Sequence, residues 1–330
     1  MMRLHDRNFG ISKICRTLLA IAATYLSSGE VLAVVNAQIK PWLRLESGMS
    51  HSQISPDGRR IAFIDSATGV LGLLDTRTQA VTEISKYSVG ASFVFAPDGC
   101  RLFYRELARD SQNKEAFSKL RGYDCALKRS VDIKRIEGMT GFLAFDPKTQ
   151  ELQALGEEGK IFRQKLQYPD HKLSKWLRTQ TTQAGQWIPT PKQMLWLRKG
   201  SHILEAVPGN DGSEILSYSI SPDGRSCAWA SKSGHVFLSE DGKKALDIGE
   251  GRDPQWHPKQ KQIVYSSPRK AAAVVTDFDL RLADSRGAGE FLTRTQEGRE
   301  RWPIWDPNSN RILFTQENST DLFSLQFEEK

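Results

Sequence analysis

Apolar and polar positions alternate along several short stretches of the chain, each interrupted by a proline-aspartate-glycine turn. Before Pro222, the alternation places Tyr218 and Ile220 between serines. After Gly224, a second apolar run carries Trp229. Period-two alternation predicts strands with one buried face. Proline pre-sets φ for a turn and glycine supplies the positive φ that completes it, so each stretch predicts a β-hairpin.

The same unit occurs six times when the chain is aligned on these prolines. The position two residues before the proline is apolar in every unit, and the position seven residues after it is aromatic. Such a periodic aromatic residue predicts a buried wedge that each unit places at the same point. The anchoring prolines are Pro56, Pro97, Pro189, Pro222, Pro258 and Pro307, and the aromatic residues are Phe63, Tyr104, Trp196, Trp229, Tyr265 and Phe314.

A second hairpin follows the first in most units, which indicates four strands, A to D, in each. The last unit lacks strand D, while residues 39–46 are a spare strand candidate near the other end of the chain. Units of about 40 residues with four strands each stack around an axis as a β-propeller. The sequence therefore predicts an all-β, six-bladed propeller over residues 38–330. The N-terminal strand is expected to close the ring, because closure removes an exposed edge.

The repeat is interrupted in the middle of the chain. A shared Asp-x-basic-Thr-Gln pattern at 75–79 and 146–150 indicates that residues 143–150 hold the second hairpin of the second unit. On this assignment, residues 106–138 are an insertion between strands B and C, and residues 156–185 are an insertion before the next unit. Both insertions are then expected to project from the face of the ring opposite the Pro-Asp-Gly turns.

The two predicted insertions carry the candidate binding residues, which are basic or aromatic. A basic face can steer an acidic partner towards the protein and raise its encounter rate. A solvated surface without any ligand would show the same pattern. The expected partner is an envelope protein with an acidic surface or an anionic envelope polymer. The candidates are Tyr123, Lys128, Arg129, Lys134, Arg135, Lys172, Lys175, Trp176 and Arg178.

The N-terminus has the pattern of an export signal. A basic start precedes an apolar core at residues 17–26, and small residues suited to cleavage after Ala33 or Ala37 follow. This pattern predicts a signal peptide over residues 1–33 and a periplasmic or secreted protein. Glu30 interrupts the apolar stretch, so a membrane-spanning helix of about 20 residues is not expected. The alternative is a disordered or helical N-terminus of a cytosolic protein.

Composition and cysteine content change this picture little. The formal net charge of +7 over 330 residues is modest, so the distribution of charge matters more than its sum. Three cysteines follow the predicted signal, and an odd number argues against a disulfide framework. The sequence leaves open whether Cys100 and Cys125 pair, whereas Cys227 on an apolar strand fits a small core residue.

Motifs for catalysis are weak. The sequence has no nucleophile elbow and no phosphate-binding glycine loop, and no spacing of cysteines or histidines specifies a metal or a cofactor. The prediction is a non-catalytic, monomeric scaffold or adaptor that binds a protein. Nucleic acid is not an expected partner, because the chain carries an export signal and no nucleic-acid-binding module. The alternative is a carbohydrate-binding, hydrolytic or lyase propeller with its site at the channel mouth.

The turns Ser-Pro-Asp-Gly-Arg at 55–59 and 221–225 resemble the repeats of TolB-like propellers. The resemblance extends over about residues 50–327, with strong motifs in three units and degenerate motifs in the other three. It implies six four-stranded blades, export to the periplasm and binding to other envelope proteins. TolB itself also has an N-terminal α/β domain, for which we expect no room in this chain.

Overall fold

The structure, a computed structural model, consists of β-strands, turns and irregular connections in the part of the chain that it describes. Its described strands form seven separate sheets, and six of these are built from consecutive strands. Strand β1 (Gln38–Arg44) comes first in the chain and belongs to the last sheet. The described residues are 38–109, 116–137, 143–146, 151–155, 161–165, 185–190, 193–198, 204–271, 273–295 and 298–326.

The first two sheets each have four antiparallel strands, and in both the strand order in the sheet follows the chain. The strands of the second sheet are nine residues long except for the first, so this sheet is larger than its neighbour. The strands are β2 (Met49–Ile54), β3 (Arg60–Asp65), β4 (Leu71–Asp75), β5 (Val81–Glu83), β6 (Phe93–Phe95), β7 (Arg101–Arg109), β8 (Ala116–Asp124) and β9 (Arg129–Glu137).

The third and fourth sheets each show three strands in the described part of the chain, again in sequential antiparallel order. Both keep a strand A and a strand B, which form the hairpin nearest the axis. The strands are β10 (Leu143–Asp146), β11 (Glu151–Leu155), β12 (Ile161–Lys165), β13 (Gly185–Pro189), β14 (Met194–Arg198) and β15 (Leu204–Ala206).

The last three sheets have four strands each, and the seventh is completed by β1. Strand β1 pairs antiparallel with the last strand of the chain, from Gln38 opposite Gln326 to Arg44 opposite Asp321. The N-terminal strand therefore closes the ring, as the sequence predicts. The strands are β16 (Ile215–Ile220), β17 (Ser226–Ser231), β18 (His235–Glu240), β19 (Leu246–Glu250), β20 (Arg252–Trp256), β21 (Gln262–Ala271), β22 (Val274–Asp284), β23 (Gly289–Phe291), β24 (Glu300–Trp305), β25 (Arg311–Gln316) and β26 (Asp321–Gln326).

The seven sheets are the blades of a β-propeller, and the prediction of six blades is wrong. Residues 143–146 and 151–155 pair as β10 and β11, the first two strands of a separate third blade, and not as the second hairpin of the second blade. The sequence signal was ambiguous because an Asp-led turn suits both hairpins. The position seven residues after Pro147 is Ala154, which is buried but too small to be recognised as a wedge.

The correct blade count also changes the predicted insertions. The described part of residues 106–138 contains the end of β7 and both outer strands of the second blade, β8 and β9, so these strands belong to the regular sheet. The turn at 125–128 joins strands C and D and therefore lies on the same face as the Pro-Asp-Gly turns. The second predicted insertion, residues 156–185, contains β12, which is the outer strand of the third blade in the described part of the chain, and residues 156–160 and 166–184 lie outside the described residues.

The predicted aromatic wedges are confirmed by their burial. All six lie on the second strand of a blade and are at most 3% exposed. The hydrophobic clusters combine residues of neighbouring blades, because each blade packs its face on the next. At the first turn, Gly58 has φ of 70° and its N–H donates to the carbonyl of Ser55 at 2.8 Å. Glycine adopts this φ without steric cost, which is why the turn residue recurs.

Candidate functional site

The outermost strand of the second blade, β9, follows a turn that presents two of the predicted partner-binding residues. The carboxylate of Asp124 accepts hydrogen bonds from the backbone N–H groups of Ala126 (2.8 Å) and Leu127 (3.0 Å). The turn then places Lys128 in the left-handed region with φ of 51°. Lys128 and Arg129 are both exposed, on the face that also carries the Pro-Asp-Gly turns.

Two further predicted residues lie towards the other end of β9 and are oriented by aromatic rings. The guanidinium carbon of Arg135 lies 3.9 Å from the ring centroid of Phe117, and the ammonium nitrogen of Lys134 lies 5.7 Å from that of Phe162. Both basic side chains remain exposed. Cation–π contacts at exposed sites stabilise by about 0.5–1 kcal/mol, so the rings restrict these side chains without removing their charge from solvent.

The same basic surface continues onto the third blade through β12, where Arg163 and Lys165 are exposed. One carboxylate of β9, Asp132, lies 2.7 Å from the guanidinium of Arg121 and 3.8 Å from the ammonium of Lys119. Its charge is therefore balanced within its own blade. The basic edge, as we define it, consists of Lys128, Arg129, Lys134, Arg135, Arg163 and Lys165.

The other predicted residues do not join the basic edge in the described structure. Tyr123 is only 6% exposed and packs in the apolar cluster between the first and second blades. Burial raises the pKa of its phenol above the ordinary value. The candidates that lie outside the described residues, and whose role stays a prediction, are Lys172, Lys175, Trp176 and Arg178.

A second candidate site, which sequence patterns did not reveal, is a central cavity of about 530 Å³. It is lined by the first strands of all seven blades and by several of the Pro-Asp-Gly turns, so it lies on the axis at the face of those turns. One apolar residue from each blade lines it, always two positions before a proline. These residues are Ile54, Phe95, Phe145, Trp187, Ile220, Trp256 and Trp305.

The cavity has few polar groups, and several of them are already engaged. The side-chain amide of Gln53 donates to the carbonyl of Phe93 at 3.1 Å, and the hydroxyl of Ser219 accepts from the N–H of Trp256 at 3.1 Å. The indole N–H groups of Trp187 and Trp256 are buried without a hydrogen-bond partner in the described structure. Among the described lining residues, Lys259 is the one charged side chain.

A third cluster lies at the opposite end of the channel, where three strands A bulge. His51, Asp253 and Trp302 each stand five residues before the proline of their unit. They have φ of 45°, 54° and 55°, a region that bulky residues enter only when the surrounding structure holds them there. All three strands show a register shift at this point.

Contacts between blades explain how these residues are held. The ring centroids of His51 and Trp302 are 4.1 Å apart. Arg301 binds Asp253 of the preceding blade and Glu317 of its own blade, with N···O distances of 2.7 Å in both cases. Burial lowers the pKa of His51, with Asp253 opposing and Arg301 reinforcing the shift. The cluster connects blades six, seven and one across the closure of the ring.

The sequence contains a signal for this cluster, because His51 occupies the same offset from its proline as Asp253 and Trp302. His257 has a structural role in the turn of the sixth blade, where its ring nitrogen accepts hydrogen bonds from the backbone N–H groups of Lys259 (3.0 Å) and Gln260 (2.9 Å). Burial lowers the pKa of His257 to about 4, so the acceptor is neutral at pH 7.

The fold and the surfaces define a β-propeller with a basic outer edge and an apolar axial cavity. Among the described residues, no group of three or more His, Cys, Asp or Glu side chains could hold a metal ion. No helix in the described part of the chain is long and apolar enough to cross a membrane.

Comparison with known proteins supports the fold. No family model matches the chain, and no curated protein matches it. The crystal structure of TolB from Acinetobacter baumannii aligns with a TM-score of 0.51 at 14% identity, over 79% of this chain. This chain spans only 57% of the length of that TolB.

A second solved structure is similar over its whole length. The β-propeller domain of Cps50 (Swd1) from Myceliophteria thermophila aligns with a TM-score of 0.52 at 12% identity, over 89% of this chain and 100% of that one. Identities this low show a shared fold and do not show a shared family. The propeller architecture is thus common to this chain and both solved structures.

Proposed function

We propose that this chain is an exported, non-catalytic propeller that binds an acidic protein through its basic edge. The observation that carries the proposal is the arrangement on β9 and β12. Five exposed cations lie on the outer strands of two neighbouring blades, Lys128 lies in the turn that precedes β9, and the side chain of Asp132 is paired within its own blade. The surface is therefore positive towards solvent, which favours encounter with an acidic partner.

The position of the basic edge on outer strands also suits a protein partner. Strand β9 is the last strand of its sheet, and Val131 near the start of this strand is 49% exposed among the cations. Leu127 in the preceding turn is 60% exposed. Interfaces combine apolar anchors with a charged rim, and arginine is enriched in them. Exposed apolar groups between basic side chains provide both parts of such a surface.

Export is the second part of the proposal and depends on the N-terminal sequence. The basic start, apolar core and small residues before Ala33 and Ala37 support cleavage of a signal peptide. The partner would then be a protein of the cell envelope. A processed N-terminus in the protein purified from the periplasm or the medium, measured by mass spectrometry, would support export, and an intact Met1 would contradict it.

The binding proposal can be tested by incorporating the photo-crosslinking amino acid p-benzoylphenylalanine into the protein in its native cells. At position 131 it would lie in the basic edge, whereas at position 246 it would lie on an outer strand of the fifth blade. Val131 and Leu246 are similarly exposed, at 49% and 43%, so the second position is a matched control. We expect a crosslink to an acidic protein at position 131 and none to that protein at position 246.

Other outcomes of the same experiment would count against the proposal. A crosslink to polysaccharide instead of protein would assign the basic edge to an anionic envelope polymer. Equal crosslinking from both positions would show that the partner does not select the basic edge. Adding Lys134→Glu and Arg135→Glu to the position 131 variant should abolish the crosslink, because the reversed charges repel an acidic surface.

A further inference from the structure

We propose that the central cavity binds a small apolar anion, a molecule with an aromatic or aliphatic body and one carboxylate or sulfonate group. The cavity lies on the innermost strands of the blades, whereas the basic edge lies on the outermost strands. The inference therefore goes beyond the proposed function and does not depend on it. It rests on the size, the walls and the polar groups of the cavity.

The size of the cavity fits a small molecule. Ligand pockets in proteins typically enclose about 300–1,000 Å³, and this cavity of about 530 Å³ lies within that range. Its position on the axis means that all seven blades contribute to one enclosure. A ring of strands held at both ends by turns is a largely pre-formed site, which is typical of ligand pockets.

The walls select an apolar body. The residue two positions before each proline is aliphatic or aromatic in every blade, and Val94, Leu143 and Ile304 add further apolar surface. Trp187, Trp256 and Phe95 are each at most 7% exposed, so their rings are packed in place. Aromatic walls of this kind favour a flat or flexible apolar ligand, because stacking and dispersion contacts require no polar complement.

The polar groups select an acceptor with negative charge. The polar side chains of the described lining are serine hydroxyl groups, glutamine and asparagine amide groups that can donate hydrogen bonds, and the ammonium group of Lys259. Lys259 is exposed and is the one charged side chain of the described lining. These donors and the charge of Lys259 complement an anionic ligand. No carboxylate is present among the described lining residues, so the cavity would repel a cationic ligand.

Binding can be measured with the anionic probe 1-anilinonaphthalene-8-sulfonate and its neutral relative N-phenyl-1-naphthylamine. Because tryptophan residues line the cavity, excitation of tryptophan should transfer energy to a bound probe, and the fluorescence of the probe then reports binding. We expect one high-affinity site for the anionic probe on the full-length protein and weaker binding of the neutral probe. Dodecanoate should displace the anionic probe, whereas dodecyltrimethylammonium of the same chain length should not.

Substitutions of residues that line the cavity test whether the probes bind there. Ile220→Trp places in the fifth blade the residue that three other blades already have at this position, so it should fold while filling the cavity. It should remove binding of both probes. Ile54→Phe, which copies the second and third blades, is an independent filling variant if Ile220→Trp does not fold. Lys259→Gln should weaken the anionic probe about fivefold and leave the neutral probe unchanged.

A matched control and the contradicting results complete the design. Lys261→Gln changes an exposed lysine two residues away that does not line the cavity, and it should leave both probes unaffected. Unchanged probe binding by folded Ile220→Trp and Ile54→Phe would overturn the assignment of the cavity. Equal affinity for both probes, with no effect of Lys259→Gln, would overturn the assignment of an anionic ligand. Absence of a saturable site for either probe would overturn both.

An independent observation supports a second inference, a disulfide between Cys100 and Cys125. The ladder between β7 and β8 pairs Arg101 with Asp124, so the two cysteines are the next opposed residues. The N–H of Cys125 donates to the carbonyl of Cys100 at 3.1 Å, and the thiol of Cys125 contacts the same oxygen. Directly opposed residues on antiparallel strands have the Cα separation that a disulfide requires.

We infer that these thiols are oxidised by glutathione disulfide or a protein disulfide. One cysteine thiol attacks the disulfide of the oxidant, which forms a mixed disulfide and releases one thiol of the oxidant. The second cysteine then attacks the mixed disulfide, forms the Cys100–Cys125 bond and releases the other thiol of the oxidant. The two cysteines thereby lose two electrons and two protons, which the oxidant gains. After treatment of the folded protein with glutathione disulfide, peptide mapping should show a Cys100–Cys125 crosslink. Cys227, which is buried, should stay reduced.

Cysteine variants provide the control for this chemistry. Cys125→Ser should yield only a mixed disulfide between Cys100 and glutathione, and Cys227→Ser should form the same crosslink as the unmodified protein. Mixed disulfides at both positions of the unmodified protein, without a crosslink, would contradict the inference. An unchanged number of free thiols, under conditions that oxidise a control peptide with two cysteines, would also contradict the inference.

Discussion

Glu300, the first residue of β24, is completely buried, and its carboxylate accepts hydrogen bonds from the hydroxyl groups of Thr293 (3.0 Å) and Thr295 (2.7 Å). Burial is the main reason that the pKa of Glu300 rises from 4.5 to about 7. The carboxylates of Asp279 and Asp277 act in the same direction, whereas the threonine hydrogen bonds oppose the shift. Folding therefore favours the protonated form of this side chain.

This shift predicts a specific pH dependence of stability. Glu300 binds its proton more tightly in the folded protein, so its contribution is most favourable below pH 4.5 and is lost as the pH rises to about 7. Glu300→Gln keeps the shape without the charge. At pH 8 it should raise the free energy of unfolding by on the order of 3 kcal/mol relative to the unmodified protein. Denaturant unfolding between pH 4 and pH 8 measures this difference.

The control for Glu300 is the same substitution in an exposed position of the preceding blade. Glu290 lies on β23 and is exposed, so Glu290→Gln should leave the pH profile of stability unchanged. The difference between Glu300→Gln and the unmodified protein should also disappear near pH 4. A constant difference at every pH would mean that the substitution acts through packing and not through ionisation.

Gly72 is a second residue whose identity is required by its surroundings, because a neighbouring ring leaves no space for a side chain. It lies directly opposite Phe63 in the ladder between β3 and β4, and a Cβ at this position would lie 2.7 Å from the Cζ atom of that ring. Phe63 is a buried wedge and cannot move freely. Gly72→Ala should therefore lower the free energy of unfolding by about 1–3 kcal/mol, as overpacking of a core does.

A double variant tests this explanation of Gly72. Phe63→Leu removes part of the ring that the new methyl group would meet, so Gly72→Ala should cost less in the Phe63→Leu background than alone. A double-mutant cycle by chemical denaturation measures the coupling. Additive effects of the two substitutions would show that Gly72 matters for a reason other than contact with Phe63.

Among the strands, β1 has the most consequential position, because it closes the ring. It pairs with β26 and contributes Leu43 to the apolar cluster that joins the seventh and first blades. Leu43→Asp should destabilise the protein by about 2 kcal/mol, since it places a charge in this cluster. Lys40→Asp adds the same side chain at an exposed position of the same strand and should change the melting temperature little.

The outcome for β1 bears on how the ring is held together. If both aspartate variants melt at the same temperature, the N-terminal strand contributes little to closure. The cluster around His51 and Trp302 would then be the main connection between the seventh and first blades, together with the remaining apolar contacts. A melting temperature reduced only by Leu43→Asp supports closure by β1.

Local patterns predicted most of the blades because turns and wedges depend on short-range chemistry. The aromatic residue on strand B is visible in sequence wherever it is large, from Phe63 to Phe314. The third blade escaped recognition because Ala154 fills the same position with a small side chain. Its packing depends on Leu120, Ile136 and other residues of the neighbouring blade, which a single repeat cannot reveal.

The candidate site was predictable only in part for a related reason. Charge on an outer strand is visible in sequence, and Arg129, Lys134 and Arg135 are indeed exposed. Tyr123 lies on the adjacent strand, where burial depends on the face that contacts the first blade, so residue type alone was misleading. The cavity brings together residues from all seven blades, and no local pattern encodes that convergence.

At the scale of the whole molecule, the propeller separates two kinds of surface. The inner strands form an apolar cavity with a single charged residue in its described lining, while the outer strands of the second and third blades carry the basic edge. A ligand in the cavity and a protein on the edge could therefore bind at the same time. The separation also means that substitutions in one site should leave the other intact.

The most direct test of the proposed function compares three forms of the full chain in the native cells. These are the unmodified protein, Lys134→Glu/Arg135→Glu on the basic edge, and Lys243→Glu/Lys244→Glu at exposed positions of the fifth blade. Expression and melting temperature are matched before copurified proteins are quantified by mass spectrometry. We predict one acidic partner that copurifies with the first and third forms, falls about tenfold or more with the second, and dissociates in high salt. The same partner recovered equally with all three forms would contradict binding through the basic edge.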